Sequence, residues 1–385
     1  MSGTEQAALA SPAGEAPPAL QASNLAKSFG GARALKGVDL TIHTGAVVAL
    51  LGENGSGKST LVKILSGYHV PEPGGSLRMN GADVPLPVPL GEARTVGLSF
   101  VYQDLGLAPD LQVVENLFVG RRVTVGAGSF KRINWGAERR RARQIFESYG
   151  VMLDPSAQTG RLRPTSQALL AIVRAAVELR EYHSSAQRGG VLVLDEPTVF
   201  LPEHEKVFLF DLVRRIAAEG FGVLFVSHDM TAVREIAHRA VVLRDGEKVG
   251  DVAVATTSDA DLIELVSGHR LDRSTIEQAT THGSASAGES SGEVMLSVKD
   301  VRGGRVRGLS FDLHAGEILG VAGLLGAGSE DLPYVLFGDA PDASGQLTLP
   351  GWTGELSELT PSRAIALGMS LVPADRKQQG AVADL

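Results

Sequence analysis

Short apolar runs recur along the chain at 46–51, 96–101, 191–194, 222–226 and 241–243. Runs of that length with little alternation predict strands buried on both faces, as in a parallel sheet. The segments at 20–25 and 38–42 instead alternate apolar and polar residues, which predicts strands with one wet face, joined by a turn at Ser28-Phe29-Gly30-Gly31. Helical spacing marks 61–65, 166–179 and 262–268, and a more polar helical pattern fills about 105–165. Within that stretch Arg139-Arg140-Arg141-Ala142-Arg143 reads as a solvated helix face, with Ile145, Phe146 and Tyr149 on the buried side. Asp245-Gly246 between two apolar segments is a hairpin signal. Strands alternating with helices predict an α/β core with a β-rich edge and a helical insertion.

Between the run at 46–51 and the helix at 61–65 lies Gly52-Glu53-Asn54-Gly55-Ser56-Gly57-Lys58-Ser59-Thr60, a full match to the phosphate-binding pattern G-x-x-x-x-G-K-[ST] in the strand–loop–helix context that the pattern requires. Glycines let successive N–H groups turn inward on phosphate oxygens, and the helix that follows adds its positive end. Lys58 is placed to reach the β- and γ-phosphates and the Ser59 hydroxyl to ligate Mg²⁺, with Thr60 behind it. The run at 191–194 ends in Asp195-Glu196-Pro197-Thr198, and carboxylates at the carboxyl end of a buried parallel strand stand where open α/β sheets bind ligands. Asp195 is read as the Mg²⁺ ligand, direct or through water, and Glu196 as the general base that polarises the attacking water. His228 closes the next run, and Phe29 offers an aromatic face for an adenine base ahead of the loop.

Composition narrows the picture. The 385 residues, 43% hydrophobic and 21% charged, allow two or three ordinary globular domains. No apolar run approaches the roughly 18 residues needed to span a bilayer. With no cysteine, disulfides and thiolate metal sites are excluded, and a net charge of −8 argues against a nucleic-acid partner. Residues 1–19 lack the basic start and apolar centre of a secretory signal and read as a disordered leader.

After a Ser/Gly/Thr/Ala-rich linker at 274–292 the chain repeats itself at an offset of 271 residues. Gly37, Gly52, Gly57 and Gly67 correspond to Gly308, Gly323, Gly328 and Gly338, and Gly97-Leu98-Ser99-Phe100-Val101 to Gly368-Met369-Ser370-Leu371-Val372. The copy has changed its chemistry: Ser329 stands in the place of Lys58, Glu330 in that of Ser59 and Ala374 in that of Gln103. At an effective dielectric of about 20, one unit charge ~4 Å from a phosphate matters by roughly 4 kcal/mol, so tight Mg-nucleotide binding of the usual kind is not expected in the second loop. Partners for Asp195, Glu196 and His228 would fall beyond Leu385, and the second unit is expected to be partial.

Together these residues resemble ATP-binding cassette (ABC) ATPases, in particular the duplicated two-cassette subunits that energise simple-sugar importers of the ribose, xylose and galactose type. The likeness runs from Leu20 to the C-terminus; its sharpest parts are 51–60, Asp195-Glu196-Pro197-Thr198 and Val226-Ser227-His228-Asp229, with Val372-Pro373-Ala374-Asp375-Arg376-Lys377 similar to a stretch of the sugar-importer subunits. The resemblance implies a P-loop NTPase fold with an antiparallel β edge and a helical subdomain, over 20–256 with the helical part at about 105–165. A helical tail and linker at 257–293 and a degenerate second copy at 294–385 follow. It further implies ATP and Mg²⁺ as cofactors, Phe29 stacking on adenine, Gln103 sensing the metal and the attacking water, and His228 contacting the γ-phosphate. The implied partners are polytopic membrane permease subunits, an extracytoplasmic sugar-binding protein indirectly, and a possible second ABC ATPase copy, at the cytoplasmic face of the membrane. A non-transporting regulatory or assembly module is the alternative.

One departure stands out. The family's L-S-G-G-Q signature falls at Leu162-Arg163-Pro164-Thr165-Ser166, where the serine and both glycines are replaced and Pro164 removes an N–H donor. In the arrangement that the resemblance implies, this signature would face the degenerate loop at 323–330, and the site built on Lys58 would need a signature that residues 1–385 do not reach. They are expected to bind Mg-ATP yet turn it over slowly, an outcome that calorimetry and a phosphate-release assay on the purified chain would check.

Overall fold

The computed structural model describes residues 18–119, 124–125, 132–186, 189–199, 201–269, 292–323 and 327–373. The leader up to residue 17, the linker up to residue 291 and Ala374 to Lys377 lie outside them. Contacts divide the chain into two compact units, within Met1–Asp272 and Arg273–Leu385.

In the first unit the elements follow as β1 (Pro18–Phe29), β2 (Ala32–His43), β3 (Val47–Leu51), α1 (Lys58–Leu65), β4 (Ser76–Met79), β5 (Ala82–Val84) and β6 (Leu98–Val101). Then come α2 (Val113–Leu117), the two-residue strands β7 (Thr124–Val125) and β8 (Arg132–Ile133), α3 (Trp135–Tyr149) and α4 (Pro164–Ala186). The unit closes with β9 (Val191–Asp195), α5 (Lys206–Ala218), β10 (Gly222–Val226), α6 (Met230–Ile236), β11 (Arg239–Arg244), β12 (Glu247–Ala253) and α7 (Asp259–Ser267). Strand β1 begins two residues ahead of the expected start and runs through Phe29, so the turn shrinks to Gly30-Gly31. The expected all-helical insertion also contains the antiparallel β7–β8 pair. Asp245 and Gly246 both take positive φ, 51° and 81°, as the predicted β11–β12 hairpin requires.

Among the described residues of this unit, the larger sheet runs β12-β11-β3-β10-β9-β6, parallel from β11 to β6 with β12 antiparallel at one edge. Its unbroken apolar runs have a direct cause, since both faces are covered. Val47, Ala49, Leu51, Leu192, Leu194, Val223 and Phe225 pack against the helical side, with Phe146, Ile172 and Leu209. Val48, Leu50, Val191, Val193, Leu224 and Val226 face α1 and the antiparallel sheet β2-β1-β4-β5, meeting Leu25, Leu40, Ile64 and Leu77. In α3 the buried positions are Glu138, Ala142, Phe146 and Tyr149, at helical spacing. Ile145 is only partly buried, and Arg141 lays its guanidinium 4.6 Å from the centre of the Phe118 ring.

In the second unit β13 (Val294–Gly303), β14 (Val306–His314), β15 (Ser344–Leu349) and β16 (Trp352–Glu355) form a sheet of order β14-β13-β15-β16, the same arrangement as β2-β1-β4-β5. Two short helices, α8 (Leu332–Leu336) and α9 (Pro361–Ala366), pack on it through Leu332, Val335 and Ala364. The repeat stops there. Residues 318–322, in the place of β3, form no strand, and Ile318, Leu319 and Val321 are exposed. Strand β3 is held by β10 on one side and β11 on the other, whereas no counterpart of either occurs among the described residues of this unit. The ring of Phe225, fully buried at the centre of the first unit's sheet, makes Phe225→Ala a test of that core; urea denaturation is expected to show a loss of about 3–5 kcal/mol.

Candidate functional site

The parallel register decides what meets at the edge of the sheet. Strands β3, β10, β9 and β6 lie side by side and point the same way, so the loop after β3, His228 after β10, Asp195 and Glu196 at the end of β9 and Gln103 after β6 emerge together. A cavity of about 250 Å³ opens there, lined by Asn54, Gly55, Gly57, Lys58, Ser59, Thr60, Gln103, Asp195 and Glu196. Ala34 of β2 completes the wall, a residue that no motif in the sequence marks. Gly52, Glu53 and Ser56 belong to the loop without lining the cavity. Phe29 does not line it either: its ring meets His69 edge-on at 5.0 Å between centres, Lys27 Nζ lies 5.2 Å from it, and 44% of the residue stays exposed.

Glycine is required where the loop folds tightest. Gly57 caps α1 with φ 106°, and a Cβ there would sit 2.6 Å from the Ala34 carbonyl oxygen; Gly52, at φ 149°, would drive one into Leu243 O and Ser56 Oγ. Lys58 is buried, and its ammonium curls back to donate to Gly52 O (2.6 Å) and Glu53 O (2.9 Å), drawing the loop around it. Burial lowers the Lys58 pKa, while the charges of Glu196 and Asp195 oppose that shift.

Asp195 moves the other way. Burial first, and then the neighbouring Glu196 carboxylate, raise its pKa above the ordinary aspartate value, with Lys58 and Lys63 opposing. Glu196 is held at φ 52°, an uncommon conformation for a residue with a Cβ, and its N–H donates to Val226 O at 2.9 Å. Its carboxylate lies 2.9 Å from His228 Nδ1. Tyr102 stacks on Phe100 at 5.7 Å, and burial raises its pKa.

These residues fit a polyphosphate with a hard cation. Ser59, Gln103 and Asp195 line the cavity with oxygen donors of the kind that such cations take.

In the second unit the equivalent cavity, about 260 Å³, is lined by Gly323, Gly328 and Ser329 and by two cations, Arg305 and Arg307. Arg305 donates to both carboxylate oxygens of Asp331 (2.8 and 2.9 Å) and to Glu330 (3.1 Å). The positive charge missing at Ser329 is thus replaced from the turn between β13 and β14 and taken up by acids in the places of Ser59 and Thr60. The guanidinium bonds hold the Asp331 pKa down at about 2. Matching of Lys58 to Ser329 missed this; the cue was the offset that sets Arg305 against Ala34.

Comparison with known proteins agrees with this geometry. The ABC transporter family profile matches residues 35–199. A ribose import ATP-binding protein of Burkholderia pseudomallei is 39% identical over 369 residues, covering 96% of this chain and 68% of that protein. The chain belongs to the ABC transporter family. A ribose import ATP-binding protein of Rubrobacter xylanophilus is 38% identical with the same coverage. A solved ATP-binding cassette of an ABC transporter, in its ADP conformation, superposes with a TM-score of 0.52 at 21% identity, over 68% of this chain and 98% of that one, and shares the fold. No helix among the described residues is long and apolar enough to cross a membrane.

The raised Asp195 pKa has a testable sign. A carboxyl whose folded pKa exceeds its unfolded value favours the fold at low pH and loses that contribution as pH rises through the folded pKa. Asp195→Asn is therefore expected to melt above the parent at pH 7, by about 2–4 °C for each kcal/mol of repulsion removed, and the gap to close as pH falls below that pKa. Melting curves across that pH range check it.

Proposed function

We propose that this chain is the ATP-binding and ATP-hydrolysing subunit that energises import of a simple sugar through an ABC transporter. The observation that carries the reading is the convergence of Lys58, Asp195, Glu196 and His228 at the ends of adjacent parallel strands, in a chain 39% identical to a ribose import ATP-binding protein. The loop from Gly52 to Thr60 would cradle the triphosphate with its N–H groups and the Lys58 ammonium. Ser59, Gln103 and Asp195 would hold Mg²⁺, which, when bound, offsets the negative charge of the phosphate oxygens. Glu196 would orient and polarise the attacking water, with His228 holding its carboxylate and meeting the γ-phosphate. The exposed face of Phe29 would stack on adenine.

In the second unit, Arg305 already occupied by Glu330 and Asp331 supports a loop that does not serve Mg-nucleotide in the same way. The permease subunits would be polytopic membrane proteins, with an extracytoplasmic sugar-binding protein acting through them and the ATPase docked peripherally at the cytoplasmic face. The domain limits, 20–256 and 294–385 about a linker, are part of the same reading. Relatives named for import favour this over a non-transporting module.

Calorimetric titration of Mg-ATP tests the reading. Lys58→Ala is expected to weaken binding at least about 100-fold, in line with the loss of a buried charge-assisted contact, while Glu196→Gln is expected to retain binding and lose turnover. Unchanged affinity in Lys58→Ala would sink the proposal.

A further inference from the structure

His228 bonds Glu196, yet its side chain is 67% exposed, so the ring is aimed by the backbone that carries it rather than by packing. That backbone is a short bridge between the end of β10 and the start of α6. Asp229 fixes it at three points: its N–H donates to Ser227 Oγ at 3.0 Å, its Oδ1 accepts from Ala232 N at 3.1 Å and so caps α6, and its Oδ2 accepts from Lys206 Nζ at 2.6 Å. The Lys206 side chain is only 11% exposed, which sets this pair apart from a screened surface bridge. Although burial raises the Asp229 pKa, the hydrogen bonds from Lys206 and from the α6 N-terminus outweigh it and hold the carboxyl below its usual range. Lys206 opens α5, and the preceding residue, Glu205, accepts a hydrogen bond from the Thr165 hydroxyl in the first turn of α4. One polar path therefore runs from the start of α4, across the start of α5, to the residue after His228.

We propose that Lys206 is a positioning residue for His228, acting through Asp229, with the Thr165–Glu205 bond anchoring its helix to α4. The proposal rests on the nucleotide-site reading above. Without the ammonium, Asp229 keeps its cap on α6 but loses its tie to α5. His228 is then free to turn away from Glu196 and from the position of a γ-phosphate. A role in packing alone makes a different forecast, because it would disturb the whole fold and every nucleotide equally.

The test is titration of Mg-ADP and of a Mg-bound non-hydrolysable ATP analogue into the whole chain and its Lys206→Met, Lys206→Arg, His228→Ala and Lys206→Met/His228→Ala variants. Lys206→Met is expected to keep Mg-ADP affinity within about two-fold and to cut the preference for the triphosphate about five-fold, the scale of one hydrogen bond to a charged group. His228→Ala should lower that preference at least as far, the double variant no further than His228→Ala, and Lys206→Arg should restore it. An unchanged preference in Lys206→Met, an equal loss of both nucleotides, or additive losses in the double variant would overturn the positioning role. A parent chain that binds neither nucleotide would instead overturn the site reading, and the positioning role with it.

Discussion

Everything at the site depends on the parallel pairing of β3 with β10 and of β10 with β9. Backbone hydrogen bonds put Val47 beside Val223 and Gly222 beside Val191, and that register brings three strand ends to one edge. The loop after β3 supplies N–H groups and an ammonium, β9 supplies two carboxylates, and β10 leads into an imidazole. None of these groups has a strong local reason to lie near the others. The pairing holds because both faces of the sheet are covered, which removes the alternatives open to a half-exposed strand.

The same constraint explains the contrast between the units. Each carries the antiparallel sheet, which in the first unit packs on α1 and the parallel sheet and in the second closes a small core with α8 and α9. An antiparallel sheet built from hairpins satisfies itself from nearby chain, whereas a parallel strand needs partners from far along the sequence. Residues 318–322 have the apolar composition of β3 without flanking strands among the described residues, and they do not form one. The loop that follows keeps its glycines, and Gly328 still takes φ 102°, but its charges have been rearranged into a closed set around Arg305. A loop conformation and a ligand site are separable properties of one motif.

Strain and unmatched charge accumulate on the first site. Glu196 at positive φ, Asp195 with a raised pKa and Lys58 with a lowered one are arrangements that the fold tolerates because the surrounding sheet over-determines them. A cationic ligand for the acids and an anionic one for the lysine would relieve that imbalance together.

What could be read without coordinates was whatever is local. Glycine spacing from 52 to 57 defines the loop, unbroken runs such as 191–194 define buried strands, and Asp245-Gly246 defines a hairpin, because each is set by backbone sterics or by the burial of adjacent side chains. Long-range matters followed only from packing. Ala34 lining the cavity, Phe29 turned toward His69, Arg305 reaching Asp331 and Lys206 holding Asp229 each join residues that no short spacing relates. Local pattern determined which elements this chain forms and which chemistry its loop can offer. The choice of neighbours was made by the tertiary structure, since strand pairing and the pairing of buried charges are settled by where the whole chain brings them.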